Sequence, residues 1–449
     1  MPHRYTIFEI KARGVGRNKT TCYSIFMSEK KSDNIKKQQQ RAKSKRLSGK
    51  QRTLIAAILV LLITTVGIFG IIRYSDTRRL DVAYYGVPES IATAINAVLE
   101  SPDNATVQKK YSRLRIVQLA ESDIRNTKRI AKKYDLLFMW NGANAANAAE
   151  KAVVLPESVY NLFPASVRYG GKVNNVPKML PLLLDHYELA CYRTYRNNAG
   201  LTLPETFNEL ESYLHTIKGY ADYPLICAGK TDATLTAFIS AFTESLAGSE
   251  GYATLVKAAA GADRLSDVLD VPLGKNISLA SILGIIKQWQ HDGLIHPQWY
   301  NVTEKDIESY MEEHRLGAIF MPLSEHRVKP LILIKYYDTV QFPKGDVANH
   351  ALIAPVLVGM AFRNDASQLA VLEHFAHTDL QMRLSQHSKL APASARAEAH
   401  DVQADDVRFW AASCTDGPVP ELGKAAFVLQ VKIAMFAEEI RTYMELETR

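Results

Sequence analysis

Residues 189–219 read LACYRTYRNNAGLTLPETFNELESYLHTIKG. Leu189 to Tyr192 is a short apolar run with strand character. A polar stretch of helix length follows and stops at Gly200, a residue that enters the left-handed region without steric cost. Pro204 bars immediate continuation. Thr206 and Glu209 have capping-box spacing, in which each side chain satisfies a backbone N–H at a new helix start. Phe207, Leu210, Leu214 and Ile217 then recur at three- and four-residue steps, the pattern of a one-sided buried face, up to Gly219. The stretch therefore predicts strand, helix, corner and second helix.

Working towards the N-terminus, the same alternation repeats. Leu80–Gly86, Leu114–Leu119 and Tyr134–Trp140 read as strands. Pro88–Glu100, Ser122–Lys133 and Asn144–Ala152 read as helices between or after them. Strands alternating with helices imply a parallel sheet with right-handed crossovers, and in such sheets ligands sit beyond the C-terminal strand ends. That selects Tyr84 and Tyr85 with Gly86 after the first strand, and Trp140 and Asn141 with Gly142 after the third. Beyond Leu225–Ala228 the pattern is mostly helical, over 232–247, 250–259, 278–292, 304–315, 366–388 and 424–447. Short strand-like runs interrupt it at Gly317–Met321, Thr339–Phe342 and Leu352–Ala354.

The 449 residues carry a formal charge of +7, but residues 1–52 hold more than all of it. Residues 1–27 contribute +4 and residues 28–52 contribute +8, which leaves −5 for 53–449. An acidic main body has no general attraction for phosphate backbones, so a nucleic-acid partner is not expected. Thr53–Ile72 has no charged residue and about the length needed to cross a bilayer as a helix. The Lys/Arg excess before it predicts a cytoplasmic N-terminal side. Residues 1–52 then form a basic cytoplasmic tail, with Met27 as a possible true start, and 53–73 a single-pass signal anchor in the cytoplasmic membrane. The main domain follows outside the cytoplasm. No small-residue cleavage site and no cysteine follow the apolar run, which argues against a cleaved signal peptide and a lipid-modified cysteine. Cys22, Cys191, Cys227 and Cys414 lie far apart and lack metal-site spacing; a Cys191–Cys227 bridge is conceivable, and buried free thiols are the plainer reading.

No catalytic motif stands out. There is no G-x-S-x-G and no H-E-x-x-H, and PLGKNIS lacks the earlier Gly and the Ser/Thr of a phosphate loop. His374 and His377 share a helix face but have no third ligand nearby in sequence. Neither an enzyme, a metal nor a cofactor is expected. Asp185-His186, directly after the apolar run Leu180–Leu184, is the most site-like polar pair.

The order of features resembles the extracellular solute-binding proteins of bacterial ABC importers, in the subgroup that includes maltose-binding protein and many sugar binders. The resemblance is carried by Phe163-Pro164 with Tyr169–Pro177, and by Asp185, Leu189, Tyr192-Arg193, Ala199–Leu201, Pro204, Thr206-Phe207 and Glu209-Leu210. Asp292–Pro297, Glu313–Met321, Phe342–Gly345 with Val358-Gly359, and Ala370–Pro392 extend it over 80–449. It implies a two-lobe α/β fold of the type II periplasmic-binding kind, closing at a hinge on a small solute, most plausibly a carbohydrate, for ABC permease subunits. Lobe one would be 80–185 plus 345–395, and lobe two 186–344 plus 396–449. The resemblance adds Asp185, His186, Glu325, His326 and Gly359 to the ligand-binding candidates, and Trp410, shortly before Cys414-Thr-Asp-Gly-Pro418, joins them by its position. Departures accompany it. Ala318–Arg327 lacks the family's Gly-Trp, Tyr192-Arg193 replaces Tyr-Asn, and an apolar helix replaces the lipid-modified cysteine. A sensor or scaffold ectodomain that kept the fold without transport is the alternative.

Overall fold

The structure is a computed structural model that describes residues 49–76, 79–101, 107, 110, 111, 113–363 and 365–446. Two units divide at Tyr74 and Ser75. The described residues of the first, 49–74, belong to the helix Gly49–Asp76, whose side chains are described for Lys50 and residues 53–68. Among the described residues no helix is long and apolar enough to cross a membrane. The expected tail, with Met27 and Cys22, lies outside the described residues.

The second unit is built on two sheets. The strands of the first are β1 (Arg79–Tyr85), β2 (Arg113–Gln118), β3 (Leu136–Trp140), β6 (Leu180–Leu184), β12 (Val356–Ala361) and β13 (Ala391–Pro392). Their order is β13-β6-β12-β3-β1-β2. β1, β2 and β3 are parallel, and β12 runs antiparallel to both β3 and β6. The second sheet takes β7 (Tyr187–Tyr192), β8 (Tyr223–Cys227), β9 (Leu316–Pro322) and β10 (Tyr337–Gln341), in the order β10-β7-β9-β8. Two short pairs complete the set: β4 (Lys172–Val173) with β5 (Val176–Pro177), and β11 (Leu352–Ile353) with β14 (Pro418–Val419). Asn174 and Asn175, both at positive φ, turn β4 into β5, as the sharp two-residue hairpin demands.

Each sheet has its own core. In the first half, Tyr84 stacks on Phe138 at 5.5 Å, and Phe138 meets Phe375 edge-on at 5.7 Å. In the second half, the strand alternation of β7 sends Tyr187, Leu189 and Cys191 to one core, and Ala190 and Tyr192 to another on the opposite face. A sheet buried on both faces explains the nearly unbroken apolar runs. The chain passes between the halves at Asp185-His186, between β10 and β12, and again after the helix Val402–Ser413.

The opening stretch folds as its residues dictate: β7, the helix Arg193–Asn198, Gly200 at φ +67°, and the helix Phe207–Ile217. Glu209 Oε2 accepts from the N–H groups of Glu205 and Thr206 at 2.8 and 3.1 Å, and Thr206 Oγ1 accepts from Glu209 N–H at 3.3 Å. Thr206→Ala is expected to lower unfolding stability by about 1 kcal/mol, measured by urea titration.

Several expected boundaries shift. Ser122–Lys133 is two helices, because Asn126 caps the second one by accepting from Arg129 N–H. The expected helix 366–388 breaks at residues 375–377, and 424–447 divides into Leu422–Ala426 and Gln430–Glu445. The helix Val402–Ser413, expected with the second half, contributes Ala404, Val407 and Ala411 to the first core. Cys191, Cys227 and Cys414 are free and buried. Cys191 on β7 and Cys227 on β8 have β9 between them, and two strand spacings of about 4.8 Å exceed the reach of a disulfide.

Candidate functional site

A cleft of about 590 Å³ opens where the two halves and their connecting strands meet. Its first wall begins at the C-terminal end of β3. Asn141 N–H donates to Val356 O at 2.8 Å, and Asn141 Oδ1 accepts from Val356 N–H at 2.9 Å, which locks this loop to β12. Gly142 follows at φ +133°, and a Cβ there would lie 2.4 Å from the carbonyl oxygen of Lys424. Two residues on, Asn144 Nδ2 donates to Val428 O at 2.8 Å. The start of the helix Ala143–Ala149 is thereby set against the chain that leads into the last helix. Tyr169, 55% exposed, presents a ring to the cleft with Lys172 Nζ 5.6 Å from its centre.

The opposite wall comes from a bent helix. Asp232–Gly261 is non-helical at Gly248, φ +71°, where a Cβ would lie 2.8 Å from Asn349 O. The bend turns Glu250, Ala253, Val256 and Lys257 towards the cleft. It also lets Ser249 Oγ donate to Asp416 Oδ2, and Tyr252 Oη to Pro420 O at 2.6 Å. The β11–β14 pair contributes Pro418 and Val419. Four charged side chains line the cleft: Lys172 and Lys257 against Glu250 and Asp416. Opposite charges in equal number, an apolar majority and the amides of Asn141 and Asn349 suit a neutral polar solute better than an ion.

The connecting strand beside the cleft is held by a buried pair. Glu244 Oε1 lies 3.0 Å from His350 Nδ1 and accepts from Ala351 N–H at 2.7 Å. The hydrogen bond from Glu244 raises the imidazole above its ordinary range, against the opposing effect of burial. A raised folded-state value means a stabilising contribution present below the ordinary histidine pKa and lost as pH rises through the raised one. The melting temperature of the native chain should therefore fall as pH rises above the ordinary histidine pKa of about 6.5. The slope should flatten in Glu244→Gln, as scanning calorimetry would record.

Of the residues singled out from sequence, Asn141 and Gly142 line this cleft. Tyr84 is fully buried, its hydroxyl donating to Asn96 Oδ1 at 2.7 Å. Tyr85 and Trp140 are partly buried against the first core. Gly359 sits inside β12, where a Cβ would lie 2.8 Å from Leu372 and 2.9 Å from Phe138, so packing accounts for its size. The remaining candidates gather at the first passage between the halves. Asp185 accepts from Ser324 through both its backbone N–H and its hydroxyl, at 2.8 and 2.7 Å; burial nonetheless pushes its carboxyl up to about 6. His186 meets Trp410 edge-on at 5.4 Å, and burial pushes its imidazole down to about 4. His326 Nδ1 stands 2.9 Å from Oε1 of Glu188, a carboxylate with no exposure that also accepts from Gln403 at 2.6 Å. Glu325 is half-buried, 3.9 Å from Lys329 Nζ. Arg327 grips Asp401 with two hydrogen bonds of 2.7 Å, so this passage is strapped between the helices Leu323–Val328 and Val402–Ser413.

Residues 249–260, Asn349 and 416–420 were not singled out from sequence. Strand ends alone do not point to them, since they belong to a bent helix and to connecting strands. The one available signal was Gly248, which interrupts an otherwise helical pattern. His374 and His377 have ring centres 5.4 Å apart, and among the described residues no three potential metal ligands cluster.

No protein-family model matches the chain, and no curated protein does. Solved structures do. The bacterial solute receptor AcbH, described as having an exclusive preference for β-D-galactopyranose, aligns with TM-score 0.65 at 10% identity, over 84% of this chain and 99% of its own. A secreted solute-binding lipoprotein from Streptomyces coelicolor aligns at 0.59 and 11%, over 83% and 98%. The solute-binding protein RafE, solved with raffinose, aligns at 0.57 and 12%, over 81% and 98%. These similar structures are binding proteins rather than enzymes, and the chain shares their mixed α/β fold.

Proposed function

We propose that this chain is the membrane-anchored substrate-binding subunit of an ABC importer, and that its two halves close on a neutral sugar. The observation that carries the reading is the cleft of about 590 Å³, walled by both halves and lined by balanced charge. Its volume lies within the usual range for small-molecule sites. Tyr169 offers a ring face of the kind that stacks on the C–H face of a pyranose, and the Asn349 amide, with the Nδ2 of Asn141, offers polar groups for hydroxyls. Fold-level likeness to sugar-binding proteins raises the same expectation by analogy.

The anchor rests on Thr53–Ile72, twenty residues without a charge inside the helix Gly49–Asp76, and on the basic residues before it. It puts the second unit outside the cytoplasm, where a solute must be captured before import. Differential scanning of the full chain with galactose, raffinose and other mono- and oligosaccharides tests the reading. A hundredfold excess over Kd should add about 2.7 kcal/mol of stability. A complete panel of neutral sugars without a shift, alongside a shift with amino acids or polyamines, would move the assignment to that other class.

A further inference from the structure

The edge of the first sheet farthest from the cleft is crowded with cations. Register brings them together: Arg79 pairs with Arg113, and β3 begins at Leu136 opposite Val82, three residues after Lys133 at the end of the helix Thr127–Lys133. β12 runs the other way, with Ala361 opposite Leu136, and delivers Arg363 to the same edge. Arg113, Lys128, Arg129, Lys132, Lys133 and Arg363 are all exposed there. Lys128, Arg129, Lys132 and Lys133 line a shallow groove of about 540 Å³ with Asn126.

Asp365 is exposed two residues from Arg363, while two other nearby carboxylates are buried. Asp81 is buried and bound by Arg79 and Arg115 at 2.8 and 2.7 Å. Asp135 is buried beside Arg363 at 3.4 Å. Tyr134 lies between two cations, Arg115 and Lys133, at 5.8 and 5.1 Å from its ring. A basic edge on a body whose residues 53–449 sum to −5 is a local feature with a local partner.

We infer that this edge is a docking surface for the headgroups of anionic phospholipids. The inference rests on the anchored reading above. In sequence only residues 77 and 78 separate Asp76 from Arg79, and three peptide links reach at most about 11 Å. If 53–72 span the bilayer, seven peptide links, at most about 25 Å, tie Arg79 to the end of the span. Guanidinium and ammonium groups bind phosphate oxygens through charge-assisted hydrogen bonds. β1 runs for about 20 Å from this edge towards the strand ends that border the cleft.

Lysine acetylation followed by mass spectrometry tests this on the full chain in vesicles. In vesicles with about one third phosphatidylglycerol, Lys128, Lys132 and Lys133 should react at least about fivefold more slowly than in pure phosphatidylcholine, and about 1 M salt should remove the difference. Lys305, on the second half, serves as the unaffected reference. Arg113→Glu combined with Arg129→Glu should restore fast labelling while keeping the three reporters. A chain that stays in the vesicles after an alkaline wash yet labels equally in both lipids overturns the docking surface and leaves the anchor intact. A chain removed by that wash overturns both. Protection by heparin without protection by phosphatidylglycerol overturns the lipid assignment in favour of another polyanion.

Discussion

Replacing Gly142 by alanine is expected to weaken sugar binding about thirtyfold and to lower stability by about 2 kcal/mol. Gly142 has φ +133° and ψ −165°, a region open essentially to glycine alone. The added Cβ would also lie 2.4 Å from Lys424 O, too close for any real contact. That carbonyl belongs to backbone, so the neighbour cannot rotate away. Relief requires the start of the helix Ala143–Ala149 to withdraw from residues 424–428, which separates the two walls of the cleft. If ligand binds the closed arrangement, every 1.4 kcal/mol lost from that arrangement costs a factor of ten in apparent affinity. Urea unfolding gives the first number, and calorimetric titration with the bound sugar gives the second. Asn144→Ala is the milder partner variant. It removes one hydrogen bond to Val428 O and leaves the backbone free.

Phe238→Ala is expected to cost about 3–5 kcal/mol. Phe238 is fully buried in the second half, with ring centres of Phe242, Trp299 and Phe320 at 4.9, 5.0 and 5.2 Å. The three aromatic rings around it cannot collapse onto an alanine without moving the helix Asp232–Gly261 against β9. That helix carries the bend at Gly248 and hence one wall of the cleft. The urea midpoint should fall sharply, and sugar binding should weaken even where the variant remains folded. A loss below about 1 kcal/mol would mean that the rings repack and that this core is looser than its geometry.

Much of the fold was legible because its signals are local. The capping box of Thr206 and Glu209, the Gly200 stop and the buried run of β3 each follow from neighbouring residues alone. Gly248 split the expected helices at 247 and 250, where the bend is found. β12 and the helix Val402–Ser413 were not read from sequence. Val356–Ala361 is short, wholly buried and placed centrally by pairing with β3 and β6, two strands far away in sequence. The helix Val402–Ser413 exposes Val402 and Phe409 and so lacks a clean apolar stripe.

The cleft was less legible than the fold. Asn141 follows from the rule that ligands sit beyond strand ends. The same rule selected Tyr84, whose ring serves the core and whose hydroxyl is satisfied by Asn96. Ser249, Asn349 and Asp416 meet only through the bent helix and two connecting strands, a juxtaposition set by tertiary packing.

The most direct test of the account is calorimetric titration of the full chain with the sugar that most raises its melting temperature, in the native form and in Ala253→Trp. Ala253 is an exposed residue on the bent helix that faces the cleft, so an indole there occupies ligand space without disturbing either core. The account gives one-to-one binding by the native chain and at least about a hundredfold loss in the variant, with unchanged melting in the absence of sugar; one factor of ten corresponds to 1.4 kcal/mol. Equal affinity in the two chains would place the sugar elsewhere and contradict capture between the halves.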